Sequence, residues 1–63
     1  MFEREEFIQV GKEEFWEFVK NNTTTFIKGE WFHSEYYLDK NNNKVAYIET
    51  SSYGAPTIYE IKK

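Results

Sequence analysis

The chain contains no cysteine. That excludes disulfides and thiolate metal sites, and it fits a reducing compartment. No long apolar run occurs, so no segment reads as a membrane span. Residues Met1 to Glu6 are dominated by charge and hold no apolar stretch, so no secretory signal and a cytoplasmic location are expected. Arginine occurs once, at Arg4, and histidine once, at His33. Zinc sites take three or four ligands, mostly His and Cys. The only metal-like spacing is His33 with Glu35, to which Asp39 could add a third ligand along the same edge. That set is too poor in nitrogen and sulfur donors, so no metal and no cofactor are expected.

A positive charge excess is also missing. Lysine and arginine number 8 against 11 acids, for a net charge of -3. The imbalance lies in residues 1–22, where Glu3, Glu5, Glu6, Glu13, Glu14 and Glu17 face only Arg4, Lys12 and Lys20. Beyond residue 22 acids and lysines balance. This distribution disfavours nonspecific phosphate binding, which needs clustered Lys and Arg.

What the chain has in abundance is aromatic side chains, 21% of 63 residues. The length gives a single domain, residues 1–63. A domain of this size buries only about 60% of the surface its unfolded chain exposes. Without disulfides or a metal, it must rely on dense packing or on association.

Residues 6–10 read as a short strand or as the start of a helix, interrupted by Gly11. Residues 12–21 read as a helix. Phe15, Trp16, Phe18 and Val19 share one broad face, and Glu13, Glu17 and Lys20 lie opposite. Glu13 and Glu14 in the first turn and Lys20 in the last suit the helix dipole. Asn21-Asn22 and the following threonines end the helix, with Asn suited to a left-handed cap. Residues 25–39 are strand-forming and give one long bent strand or two strands, with Gly29 as bulge or turn. Lys40 to Asn43 form a hairpin turn, because Asn accepts positive φ. Residues 44–50 and 57–61 supply two more strands. The expected fold is α+β: one short helix on a three- to four-stranded antiparallel sheet, ordered β-α-β-β-β or α-β-β-β.

Neither face of this sheet is cleanly polar, although a sheet with one wet face alternates apolar and polar residues. If residues 25–39 run as one strand, Phe26, Phe32, Tyr36 and Leu38 point one way. Ile27, Trp31, His33 and Tyr37 then point the other way. One helix covers one face. The other face is expected to expose aromatics, a pattern typical of interfaces. The interface candidates are Trp31, His33, Tyr37, Tyr47 and Tyr59, with Tyr53 in the second loop. Trp31→Ala or Tyr37→Ala is expected to remove partner binding with little loss of folding. The alternative is a bulge at Gly29 with strong sheet curl, which would bury both faces.

Catalysis finds little support. Ser34 and His33 are adjacent and so point to opposite faces. No nucleophile, base and orienting group assemble locally. The domain is also small for a usual substrate pocket of about 300 Å³. No enzyme activity and no small-molecule substrate are expected. Single-stranded nucleic acid could stack on Trp31, Tyr37 and Tyr47, but the flanking acids cancel the lysines. A third reading takes the acidic residues Glu6, Glu13, Glu14 and Glu17 as a nucleic-acid mimic that blocks a nucleic-acid-binding enzyme.

The stretches Lys12-Glu13-Glu14-Phe15-Trp16-Glu17-Phe18-Val19-Lys20 and Lys44-Val45-Ala46-Tyr47-Ile48-Glu49 resemble segments of small accessory proteins of bacteriophages of Gram-positive hosts. The resemblance covers about a quarter of the chain and implies a non-catalytic protein that inhibits or redirects a host or defence protein, often as a homodimer, in the host cytoplasm. The leading expectation is therefore a protein-binding module with a protein partner.

Overall fold

The computed structural model describes residues 6–30, 33–50 and 56–62. Their elements are β1 (Phe7–Gln9), α1 (Lys12–Asn22), β2 (Thr25–Lys28), β3 (Ser34–Leu38), β4 (Lys44–Glu49) and β5 (Ile58–Lys62). The strands form one sheet in the order β1-β5-β4-β3-β2, with every neighbouring pair antiparallel. The fold is α+β, as expected, with five strands in place of three or four. Both uncertain segments became strands. Residues 7–9 pair with β5, and residues 25–39 divide into the β2–β3 hairpin.

Four successive antiparallel steps make β1 and β2 parallel to each other at opposite edges. α1 joins them and carries the chain across one face. Its N-cap, Gly11, is extended at φ -78 and ψ 167 and makes no side-chain cap bond. The Gly11 carbonyl accepts the Phe15 N–H at 2.9 Å. At the other end the cap is Thr23, extended at φ -129, where a left-handed Asn had been expected. Thr23 satisfies the last turn itself, since its N–H and its hydroxyl both donate to the Val19 carbonyl. Asn22 donates its side-chain amide to the Phe18 carbonyl at 3.0 Å.

The β3–β4 turn follows its sequence closely. Asn42 takes φ 65, the single positive φ outside glycine among the described residues. The Asp39 carboxylate accepts the N–H groups of Asn41 at 2.8 Å and Asn43 at 3.0 Å. The Asn43 bond first, and then the Asn41 bond, hold the Asp39 carboxyl below its ordinary value of 3.8. A carboxylate whose pKa is lowered by folding adds stability at pH above the unfolded value. It loses that contribution as pH falls through the folded value. Asp39→Asn keeps an acceptor but no charge. The variant should therefore lose less stability than the wild type between pH 5 and pH 2. Urea midpoints at pH 5, 3.5 and 2 measure this.

The register moves at Tyr37/Leu38, where Tyr37 faces Ala46 but Leu38 faces Lys44. The irregularity thus lies on the β3–β4 pair, and Gly29 belongs to the β2–β3 connection. Gly29 is held close to β3, donating its N–H to the Ser34 carbonyl at 2.9 Å. A Cβ at this position would stand 2.3 Å from the Ser34 Oγ. Ser34 is buried, so glycine is the residue that passes.

Splitting residues 25–39 into a hairpin corrects the expected facing of side chains. Phe26 lies opposite Tyr37, and Ile27 opposite Tyr36, so Phe26 shares a face with Tyr37. Cross-strand rows run Phe26, Tyr37, Ala46, Ile61, Ile8 on the helix side. On the other side they run Ile27, Tyr36, Tyr47, Glu60, Gln9.

Both faces carry a core. Under α1, Phe15 is fully buried with Ala46 and Ile61, and Val10, Phe18, Val19, Tyr37, Ile48 and Tyr59 pack around them. On the opposite face Tyr36, Leu38 and Tyr47 form a second buried cluster joined by Phe7. The Tyr36 and Tyr47 rings lie 4.9 Å apart. Their hydroxyls donate to Glu30 at 2.9 Å and to Glu49 at 2.6 Å. Lys44 places its ammonium 4.6 Å from the Tyr36 ring centre. A tyrosine buries its ring while its hydroxyl finds a polar partner, which is how this face holds two phenols at low polar cost.

Candidate functional site

α1 packs most closely against β5. A helix is about 10 Å wide with its side chains, and five strands at about 4.8 Å spacing span about 19 Å. The helix therefore leaves the β2 side of its own face uncovered. Phe26 there is 54% exposed, and Trp16, on the shoulder of the helix, is 40% exposed. Tyr37 lies between them. Its ring is 6.0 Å from Trp16 at a near-perpendicular angle and 5.8 Å from Phe26. Phe15 closes the inner end, 4.9 Å from Trp16 and 5.8 Å from Tyr37.

This aromatic run floors an open groove between α1 and β2. Its upper part, about 340 Å³, is lined by Trp16, Lys28, His33, Glu35, Tyr37 and Ile48, among others. Its lower part, about 220 Å³, involves Val19, Lys20, Thr25, Phe26 and Tyr37. Burial, and then the neighbouring Glu35 carboxylate, push the Tyr37 phenol above its ordinary value. Lys28 faces Glu35 across the β2–β3 pair. The groove thus offers three aromatic rings, two lysines near its rim and one carboxylate on its floor. Such a surface can grip an apolar anchor and a flanking charge.

The expected interface residues are distributed differently. Tyr37 and Tyr59 lie on the helix face, half-buried, and both rings pack against Phe15, one edge-on and one tilted. Tyr47 is 0% exposed and cannot meet a partner; the second aromatic cluster consumes it. His33 is exposed at the end of the β2–β3 connection, on the groove rim. Trp31 and Tyr53 lie outside the described residues. Of the acidic candidates, Glu13, Glu14 and Glu17 are exposed on α1. Glu6 stands apart before β1, 3.7 Å from Lys62. Among the described residues no group of three or more His, Cys, Asp or Glu side chains comes together as a metal site. No helix among them is long and apolar enough to cross a membrane.

Two groove residues, Trp16 and Phe26, were missed by reading the sequence. A signal for Trp16 existed. Phe15, Phe18 and Val19 already fill a narrow i, i+3, i+4 stripe, and Trp16, one step of about 100° from Phe15, falls on its shoulder. Phe26 had no such signal, because its facing depends on the turn before β3. Comparison with protein-family models, curated proteins and solved structures returned no match.

Proposed function

We propose that this protein is a non-catalytic protein-binding module whose partner docks in the groove between α1 and β2. The observation that carries this reading is the contiguous run Trp16–Tyr37–Phe26, whose two outer rings remain exposed beside two lysines. The occupant that fits is a protein segment with an apolar or aromatic anchor and an adjacent acidic side chain for Lys20 or Lys28. The acidic outer face of α1 and the resemblance to phage accessory proteins suit an inhibitor of a host or defence protein.

Trp16→Ala and Phe26→Ala test it, because both side chains are partly exposed, at 40% and 54%, and their loss should leave the far-UV circular dichroism unchanged. With a partner captured by the wild type and then purified, each variant should bind at least about 10-fold more weakly, as for an interface anchor. Full affinity in both variants would remove the groove as the site. Loss only on Glu13→Lys or Glu17→Lys would move the site to the acidic helix face. Tight, salt-sensitive binding of an oligonucleotide would instead favour base stacking on the same rings.

A further inference from the structure

We propose that β2 is a self-pairing edge, and that two copies of the chain join there in an antiparallel β2–β2 pair with Ile27 on the two-fold axis. This goes beyond the partner-binding reading and does not require it.

β2 is an edge strand, and among the described residues no strand pairs with its outer side. All four of its residues are exposed. Phe26 and Ile27 are 54% and 42% exposed on opposite faces. An edge that is apolar on both faces is a template for another strand, and proteins usually blunt such edges with proline, a bulge or several charges. β2 has only Lys28.

The main chain says which residues are available. Gly29 donates to Ser34 on β3. Hydrogen-bonded positions alternate in an antiparallel ladder, so Ile27 and Thr25 also bond inward, to Tyr36 and Leu38. Phe26 and Lys28 then direct their N–H and C=O groups outward. Thr24 does not extend this outward set, because its N–H is used by the Leu38 carbonyl.

A second copy matches this edge in one register. Opposite residues in a pair share a face, so the two-fold must pass through a residue paired with itself. An axis at Lys28 opposes two ammonium groups. An axis at Phe26 pairs Lys28 with Thr24, whose N–H is already taken. An axis at Ile27 pairs Phe26 with Lys28 of the second copy, twice, and uses every outward group of both residues. Side chains agree with this choice. Each Lys28 lies between its own Glu35 and the Phe26 ring of the second copy, a cation–π arrangement. The cross-strand row that runs from buried Tyr47 and Tyr36 out to exposed Ile27 continues through the axis into its symmetry mate. The axis stands perpendicular to the sheet, so both helices fall on the same face and the two aromatic grooves adjoin. α1 packs most closely against β5, which is separated from β2 by β4 and β3 in the sheet.

The absence of cysteine makes a direct test clean. In the proposed pair the Ile27 Cα atoms stand about 4.5 Å apart, as in a non-hydrogen-bonded pair, within disulfide range. Ile27→Cys should form a disulfide-linked dimer under mild oxidation at micromolar concentration, and Phe26→Cys should form several-fold less. Light scattering over a concentration series should show a wild-type dimer. Lys28→Pro removes one outward N–H and leaves the bonds to β3, so it should be a monomer with unchanged circular dichroism. Trp16→Ala should keep the dimer mass, separating this proposal from the groove. A wild-type monomer at every concentration would overturn it. So would a dimer that survives Lys28→Pro while Ile27→Cys fails to cross-link. If Lys28→Pro does not fold, the ratio of the two cysteine cross-links still decides the register.

Discussion

Replacing Phe15 with alanine should remove at least about a third of the chain's folding stability at 25 °C. Phe15 is 0% exposed and is the single buried residue of α1. Its ring meets Trp16, Tyr37 and Tyr59, so it is the main attachment of the helix to the sheet. Truncating a buried phenylalanine costs about 3–5 kcal/mol. A chain of 63 residues has a total stability of about 3–9 kcal/mol at the usual value per residue. The substitution therefore removes between about a third and all of it. Urea unfolding followed by circular dichroism should show the midpoint falling to low denaturant or vanishing. A loss below about 1 kcal/mol would mean that α1 is held by something other than this ring. The exposed neighbour Trp16 is the control: Trp16→Ala should move the midpoint far less, although it is the larger side chain.

The second large effect lies on the other face. Tyr47→Ala should destabilise by about 3–5 kcal/mol, as large aromatic truncations in cores do, even though among the described residues no helix covers that face. Tyr47 is fully buried against Tyr36, and its hydroxyl donates to Glu49 at 2.6 Å. Tyr47→Phe separates ring from hydroxyl. It keeps the packing and loses the hydrogen bond to the charged Glu49 acceptor, at a cost of about 1.5–3 kcal/mol. Denaturant midpoints of the three proteins measure both contributions. If Tyr47→Ala and Tyr47→Phe cost the same, the ring contributes little and the second core is not a core. Tyr37, expected to be an expendable interface residue, belongs with these two. It touches Phe15, Trp16 and Phe26, so its replacement mixes lost binding with lost packing. Trp16 and Phe26 report on the groove more cleanly.

The helix was legible because its signals are local: the Phe15, Phe18, Val19 stripe, the acids of the first turn and the break at Gly11. The β3–β4 turn was legible for the same reason, since Asp39 and Asn42 carry their own conformational preferences. Apolar content on both faces of the sheet was legible in the failure of residues 34–38 and 44–49 to alternate, but what became of the spare face was not. A tyrosine suits an exposed interface and a buried, hydrogen-bonded core equally well. Only its partners decide, and Tyr47 has Glu49 and Tyr36.

The sequence by itself determined an α+β domain without disulfides, with one amphipathic helix, an antiparallel sheet and more aromatic surface than one face can use. Tertiary structure alone decided that β1 joins β5, that β2 and β3 are separate strands paired antiparallel, and that α1 packs against β5. Those choices place Phe26 beside Tyr37 and Trp16 and leave β2 at the edge. The physical reason is range. Periodicity, capping and turn propensity act over a few residues, whereas strand order and face assignment are set by register between segments distant in the chain, where one residue of slip turns every side chain to the other face.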